Sequence, residues 1–230
     1  AITLAKMASG TDGNIISYDT SGNPVAVATG SAGQFLKSAG AGAVPSFATI
    51  PAGGSIVKLQ TQTASSSSTI TFSSTYLTTT YKKYYLDYTD IVISSDGGNI
   101  AATVSENNGS SYTTSGYLHW RIISTSGTSN NTIASSGNAN NSNLLMIGTG
   151  VGLGTGADES GSGRMTIFNP NNIDSKLFIS EGLHIGDGGQ LCQQNIYQGL
   201  KTSTTINNIK ISPNTGTIVS GIFTLYGVTT

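Results

Sequence analysis

Residues 10–29 read GTDGNIISYDTSGNPVAVAT and residues 30–49 read GSAGQFLKSAGAGAVPSFAT, which is one unit written twice. In register, Gly10/Gly30, Gly13/Gly33, Gly22/Gly42, Ala28/Ala48 and Thr29/Thr49 are identical. Thr11/Ser31, Asn14/Gln34, Ile15/Phe35, Ile16/Leu36 and Val27/Phe47 keep the same chemistry, and Met7-Ala8-Ser9 fits the end of a preceding unit. Each unit holds one apolar pair, one apolar single and several glycines. Such a unit cannot bury a core alone and must stack on neighbours or on other chains. The expectation is a thin, multi-chain shaft over residues 1–50, with Ile15, Ile16, Val27, Phe35, Leu36 and Phe47 as its contacts.

Outward from the repeat, Pro51-Ala52-Gly53-Gly54 reads as a hinge, and residues 55–230 are enough for one β-sandwich domain. Charged residues make up only 9% of the 230, against about 25% in ordinary globular chains. With a net charge of −1, there is no basic footprint for nucleic acid and no polybasic membrane patch. No apolar run approaches the roughly 20 residues of a membrane-spanning helix. The opening AITLAKMASG lacks the long apolar stretch of a secretion signal, so a soluble chain is expected. Low charge leaves sheet edges poorly defended, which favours covering them by assembly.

Helical periodicity is almost absent beyond the hinge, and the fold class expected is all-β. Strands are expected at 55–63, 69–72, 83–93, 100–105, 118–124, 144–148, 165–168, 176–179, 205–211 and 218–228, forming two packed antiparallel sheets. In KYYLDYTDIVI, Tyr84, Leu86 and Tyr88 share one face, with Tyr85 and Asp87 on the other. In the run from Tyr117, Leu118, Trp120 and Ile122 alternate with His119, Arg121 and Ile123, and Trp120 is expected to anchor the core. Both faces of 218–228 are partly apolar, as in a central strand or one meeting a partner. The Ser/Asn/Gly-rich stretch 125–143 is expected to be a long exposed loop.

Few residues offer chemistry. The G-x-G spacings in 148–156 precede no helix, so a glycine loop is favoured over a dinucleotide site. Asp158-Glu159 and Asp187 lack a calcium-loop pattern, and Asp96 and Asp187 fit turns better. His119 and His184 with the lone Cys192 are too few for zinc, and the default for His119 is a structural role. Cys192 reads as a buried, inert thiol. No G-x-S-x-G elbow exists, and the eleven acids show no pairing suited to glycoside hydrolysis. No catalytic residue, cofactor or metal is expected. Tyr76, Tyr81, Tyr84, Tyr85, Tyr88, Tyr112 and Tyr117 cluster in sequence, mainly as core and subunit contacts, with Tyr112 in the loop 107–116 the best candidate for surface recognition. The sequons at Asn108, Asn130 and Asn140 are what this composition yields by chance.

The repeat, especially GSAGQFLKSAGAGAVPSFATI, resembles the Gly-rich units before the C-terminal domains of bacteriophage fibre proteins. TQTASSSSTITFSSTY, YKKYYLDYTDIVISSDGG, NGSSYTTSGYLHWR, GRMTIFNP and GTIVSGIFTLYGV resemble the C-terminal β-sandwich of phage fibre and virion-decoration proteins. The resemblance implies a homotrimer with an interwoven shaft and a jelly-roll-like head on each chain, and it transfers no catalytic residues. Three roles follow from it as expectations. The first is a tail fibre attached through its N-terminus to other virion proteins, whose heads contact host-surface glycan or protein with avidity. The second is a capsid decoration protein or head fibre with a structural role, and the third, far behind, is a polysaccharide-degrading enzyme. No nucleic acid and no membrane insertion enter any of them.

Overall fold

The computed structural model describes residues 10–49, 56–126, 132–156 and 158–229. The hinge at 51–54, Met7-Ala8-Ser9 and the sequon at Asn130 lie outside the described residues. The chain separates into two compact units, Ala1–Gly53 and Gly54–Thr230.

Each repeat unit is one β-hairpin: β1 (Ile15–Tyr18) with β2 (Pro24–Val27), then β3 (Gln34–Lys37) with β4 (Ser46–Thr49). Two of the repeated glycine pairs have a backbone reason. Gly13 and Gly33 have φ of +77° and +84°, and Gly22 and Gly42 have +80° and +76°, a region that side chains rarely tolerate. The Asn14/Gln34 match is also structural. Asn14 Oδ1 accepts from the Thr29 backbone N–H at 2.9 Å, while Gln34 Oε1 accepts from the Ser31 N–H at 2.8 Å. The two hairpins differ in register by one residue. Ile15 pairs with Val27, but Phe47 pairs with Leu36 rather than Phe35. A one-residue slip exchanges faces, so Ile16 is the apolar side chain left on the far face of the first hairpin and Phe35 on that of the second.

The second unit is all-β, with no helix among its described residues. Its strands are β5 (Ile56–Ser67), β6 (Ile70–Phe72), β7 (Lys83–Ile93), β8 (Ile100–Ser105), β9 (Tyr117–Thr125), β10 (Thr132–Asn141), β11 (Leu144–Ile147), β12 (Gly161–Phe168), β13 (Lys176–Ile185), β14 (Leu191–Leu200), β15 (Asn208–Pro213) and β16 (Ile218–Val228). An eight-stranded sheet runs β10-β9-β14-β13-β12-β7-β16-β5, and a four-stranded sheet runs β11-β8-β15-β6. Every pairing is antiparallel. One core joins them, with Tyr84, Leu86, Phe178 and Phe223 from the large sheet and Phe72, Ile100, Val104 and Ile211 from the small one.

Of the two faces of β7, the one carrying Tyr84, Leu86 and Tyr88 is buried. On β9 the orientation is the reverse of that expected. Tyr117, His119 and Ile123 are buried, whereas Trp120 is 49% exposed and is not a core anchor. The expected loop at 125–143 also needs correction, because β10 occupies Thr132–Asn141 and pairs with β9. An edge strand needs only backbone pairing on one side, which Ser, Asn and Gly supply as well as apolar residues do. β14, absent from the sequence reading, fills the place between β9 and β13. On β16, register breaks around Ser220 interrupt the alternation, so Ile218, Phe223 and Leu225 are buried while Val219 and Ile222 face out.

Phe178 is buried at the centre of this core, so Phe178→Ala is expected to cost about 3–5 kcal/mol in urea unfolding. Ile173→Ala, at a position 70% exposed, is expected to change stability by less than about 0.5 kcal/mol.

Candidate functional site

The buried polar groups of the large sheet converge on one segment, residues 143–151. It forms β11 and the turn after it, at the edge of the small sheet. Among the described residues no strand neighbours its outer backbone row, and side chains take the place of one. His119 Nε2 donates to the Asn143 carbonyl at 2.6 Å. Gln198 receives the Leu145 N–H at 2.6 Å and donates to the Leu145 carbonyl at 2.8 Å. Tyr88 donates its hydroxyl to the Met146 carbonyl at 3.0 Å. Gln194 Nε2 donates to the Thr149 carbonyl at 2.7 Å, and His184 Nε2 donates to that of Val151 at 2.9 Å. Gly163 and Gly182, paired across β12 and β13, leave room for the Tyr88 hydroxyl; a Cβ would lie 2.6 Å from it at Gly163 and 3.1 Å at Gly182.

Burial favours the neutral forms of these groups. Burial pushes the Tyr88 phenol far above its ordinary range and that of Tyr117 up to about 12. Burial also lowers both histidines, opposed by the bonds to Asn143 and Val151. His184 Nδ1 is buried without a hydrogen-bond partner, so a proton placed there would be unpaired. The Cys192 thiol is buried and raised by that burial, as an inert cysteine should be. The glycine run at 148–156 is a loop packed on the turn at Gly97, where a Cβ on Gly152 would lie 2.1 Å from the Gly97 backbone. Glu159 closes it by accepting from the Gly156 N–H. No group of three or more His, Cys, Asp or Glu side chains suited to a metal occurs among the described residues. No helix there is long and apolar enough to cross a membrane.

The tyrosine cluster divides. Tyr84, Tyr88 and Tyr117 are core residues with bonded hydroxyls, and Tyr76 and Tyr81 pack against that core. Tyr112 is half-buried, with Lys210 Nζ 4.1 Å from its ring centroid. Its loop is fastened by Asn107 to Ser111, by Ser105 to Gly109, and by Asn207 to Asn108. In the repeat, Ile15, Ile16, Phe35 and Leu36 are exposed, Phe47 is half-buried and Val27 is buried. A groove of about 490 Å³ beside them is lined by Val27, Val44, Pro45 and Phe47.

The outward face of the large sheet carries features that the sequence reading missed. Trp120 and Tyr197 lie opposite each other on β9 and β14 with ring centroids 5.4 Å apart. Leu118, Leu177, Leu183 and Leu191 are also exposed there. Next to them runs a furrow of about 550 Å³ whose rim includes Asp87, Arg164, Glu181, Gln193 and Asn195. Arg164 is bidentate to Asp87, at 2.5 and 2.8 Å, and stacks 4.4 Å over the Tyr85 ring. The burial of LCQQNIYQGL alternates strictly, but its inward residues include two glutamines, so the sequence shows no matching polar–apolar alternation.

No family model, no curated protein and no solved structure matches the chain.

Two results are expected from the polar contacts. Gln198→Leu leaves the Leu145 N–H and C=O without their partner and should cost about 1–3 kcal/mol, with faster hydrogen exchange at the Leu145 amide. The unfolded chain takes up histidine protons near pH 6.5, whereas the folded chain holds His119 and His184 neutral to lower pH. Their contribution is therefore present above about pH 6.5 and is lost as pH falls through the window below it. The urea midpoint should drop between pH 7.5 and 5, and the drop should shrink in His184→Gln.

Proposed function

We propose that this chain is a structural fibre protein of a bacteriophage virion, a homotrimeric tail fibre whose C-terminal domains contact the host surface. In this reading residues 1–50 are the shaft, which meets other virion proteins at its N-terminal end, and the second unit is a jelly-roll-like head. One observation carries it: the repeat hairpins leave Ile15, Ile16, Phe35 and Leu36 exposed, with Tyr18 65% exposed beside them. Four-residue strands in two-stranded sheets do not hold together alone in water. Copies of the same unit are the partners a repeat supplies most directly.

A shaft contact of that kind is a structural task. The low charge and the two-sheet fold serve a protein that is built into a particle. Recognition of a host glycan or protein at the heads would draw its strength from several weak contacts acting together.

Electron microscopy of the purified full chain tests the reading. A slender stem bearing a three-lobed head is expected, and isolated single globules would contradict it. Phe35→Asp and Leu36→Asp should each lower the trimer fraction in sedimentation while leaving the unfolding midpoint of the second unit unchanged; undiminished trimer in both would contradict the shaft assignment.

A further inference from the structure

Three adjacent strands of the second unit carry polar side chains at some inward positions and large apolar ones at outward positions. On β14, Gln194 and Gln198 are buried while Leu191 and Tyr197 are exposed. On β9, His119 is buried while Leu118 and Trp120 are exposed. On β13, Ser180 and His184 are buried while Leu177 and Leu183 are exposed. Three adjacent strands thus share large apolar side chains on one outward face, and an exposed apolar patch of this kind marks an interface.

We infer that the outward face of β9, β14 and β13, centred on Trp120 and Tyr197, is covered by the second unit of another copy of this chain. The inference rests on the multi-chain reading above and adds that the heads, not the shaft alone, hold the copies together. Its six large apolar side chains, each about half exposed, offer on the order of 500 Å². With the interleaved Gln193, Asn195 and Glu181, the face reaches the scale of the about 800 Å² per partner that stable association uses. Its composition fits as well: aromatic and aliphatic around Trp120 and Tyr197, with Glu181 the single charge on the outward face of the three strands and the Asp87–Arg164 pair beyond β13.

The open edge of the sheet continues this face. β10 pairs only with β9, and TIASSGNANN contains no charged residue to discourage a further chain. A saccharide is the other occupant that paired aromatic rings suggest. It would need donors and acceptors around the rings, yet among the described residues Leu118, Leu177 and Ile179 border the Trp120–Tyr197 pair, with Asn195 and Glu181 on one side.

Trp120 is the sole tryptophan, so its fluorescence reports this face directly. In the full chain at micromolar concentration, acrylamide should quench it several-fold less than it quenches a free tryptophan amide. Leu177→Asp, at a position exposed in the single chain, should restore quenching several-fold and shift sedimentation toward smaller species. Trimers in which Trp120 is freely quenched would overturn the inference while leaving the shaft reading intact. Protection that appears only on adding a neutral oligosaccharide would overturn it in favour of a sugar platform. A freely quenched single chain would remove both readings.

Discussion

The unpaired backbone edge at residues 143–151 is the constraint on which the second unit depends. A sheet edge turned toward the core must be paired or it costs the desolvation of every orphaned N–H and C=O. This chain meets that demand with His119, Gln198, Tyr88, Gln194 and His184, drawn from four strands of the opposite sheet. Because the contacts are directional, they fix which face of each strand points inward, where a wholly apolar core would tolerate sliding. They also account for the burial of both histidines.

The other side of the same sheet is apolar in part. Inward positions of β9, β13 and β14 hold His119, Ser180, His184, Gln194 and Gln198 among apolar residues such as Phe178 and Ile196, while Leu118, Trp120, Leu177, Leu183, Leu191 and Tyr197 face outward. The interior clamp and the exterior patch are two faces of one alternation. The repeat hairpins show the same incompleteness more simply, since their four-residue strands expose most of their apolar side chains. Both units leave large apolar side chains exposed.

How much of this was legible in the sequence follows from the same physics. The repeat was legible because its glycines at 13, 22, 33 and 42 are imposed by a positive φ that few other residues tolerate. β7 was legible because Tyr84, Leu86 and Tyr88 put their apolar bulk inward, as patterning assumes. Trp120 was assigned to the core on the same assumption, which fails wherever the inward partner is a histidine or glutamine bonded to backbone. β10 escaped notice because an uncharged edge strand needs no apolar residues. The matched glycines and apolar positions of two units of equal length do not announce the register slip, which goes with a longer connection between β3 and β4 than between β1 and β2.

The central claim is that this polypeptide leaves apolar surface that only further copies of itself complete. Native mass spectrometry of the full chain addresses it with the fewest assumptions. The account predicts a dominant species of three times the 23.5 kDa chain mass, persisting to low micromolar concentration. A population made entirely of 23.5 kDa single chains under those conditions would contradict it.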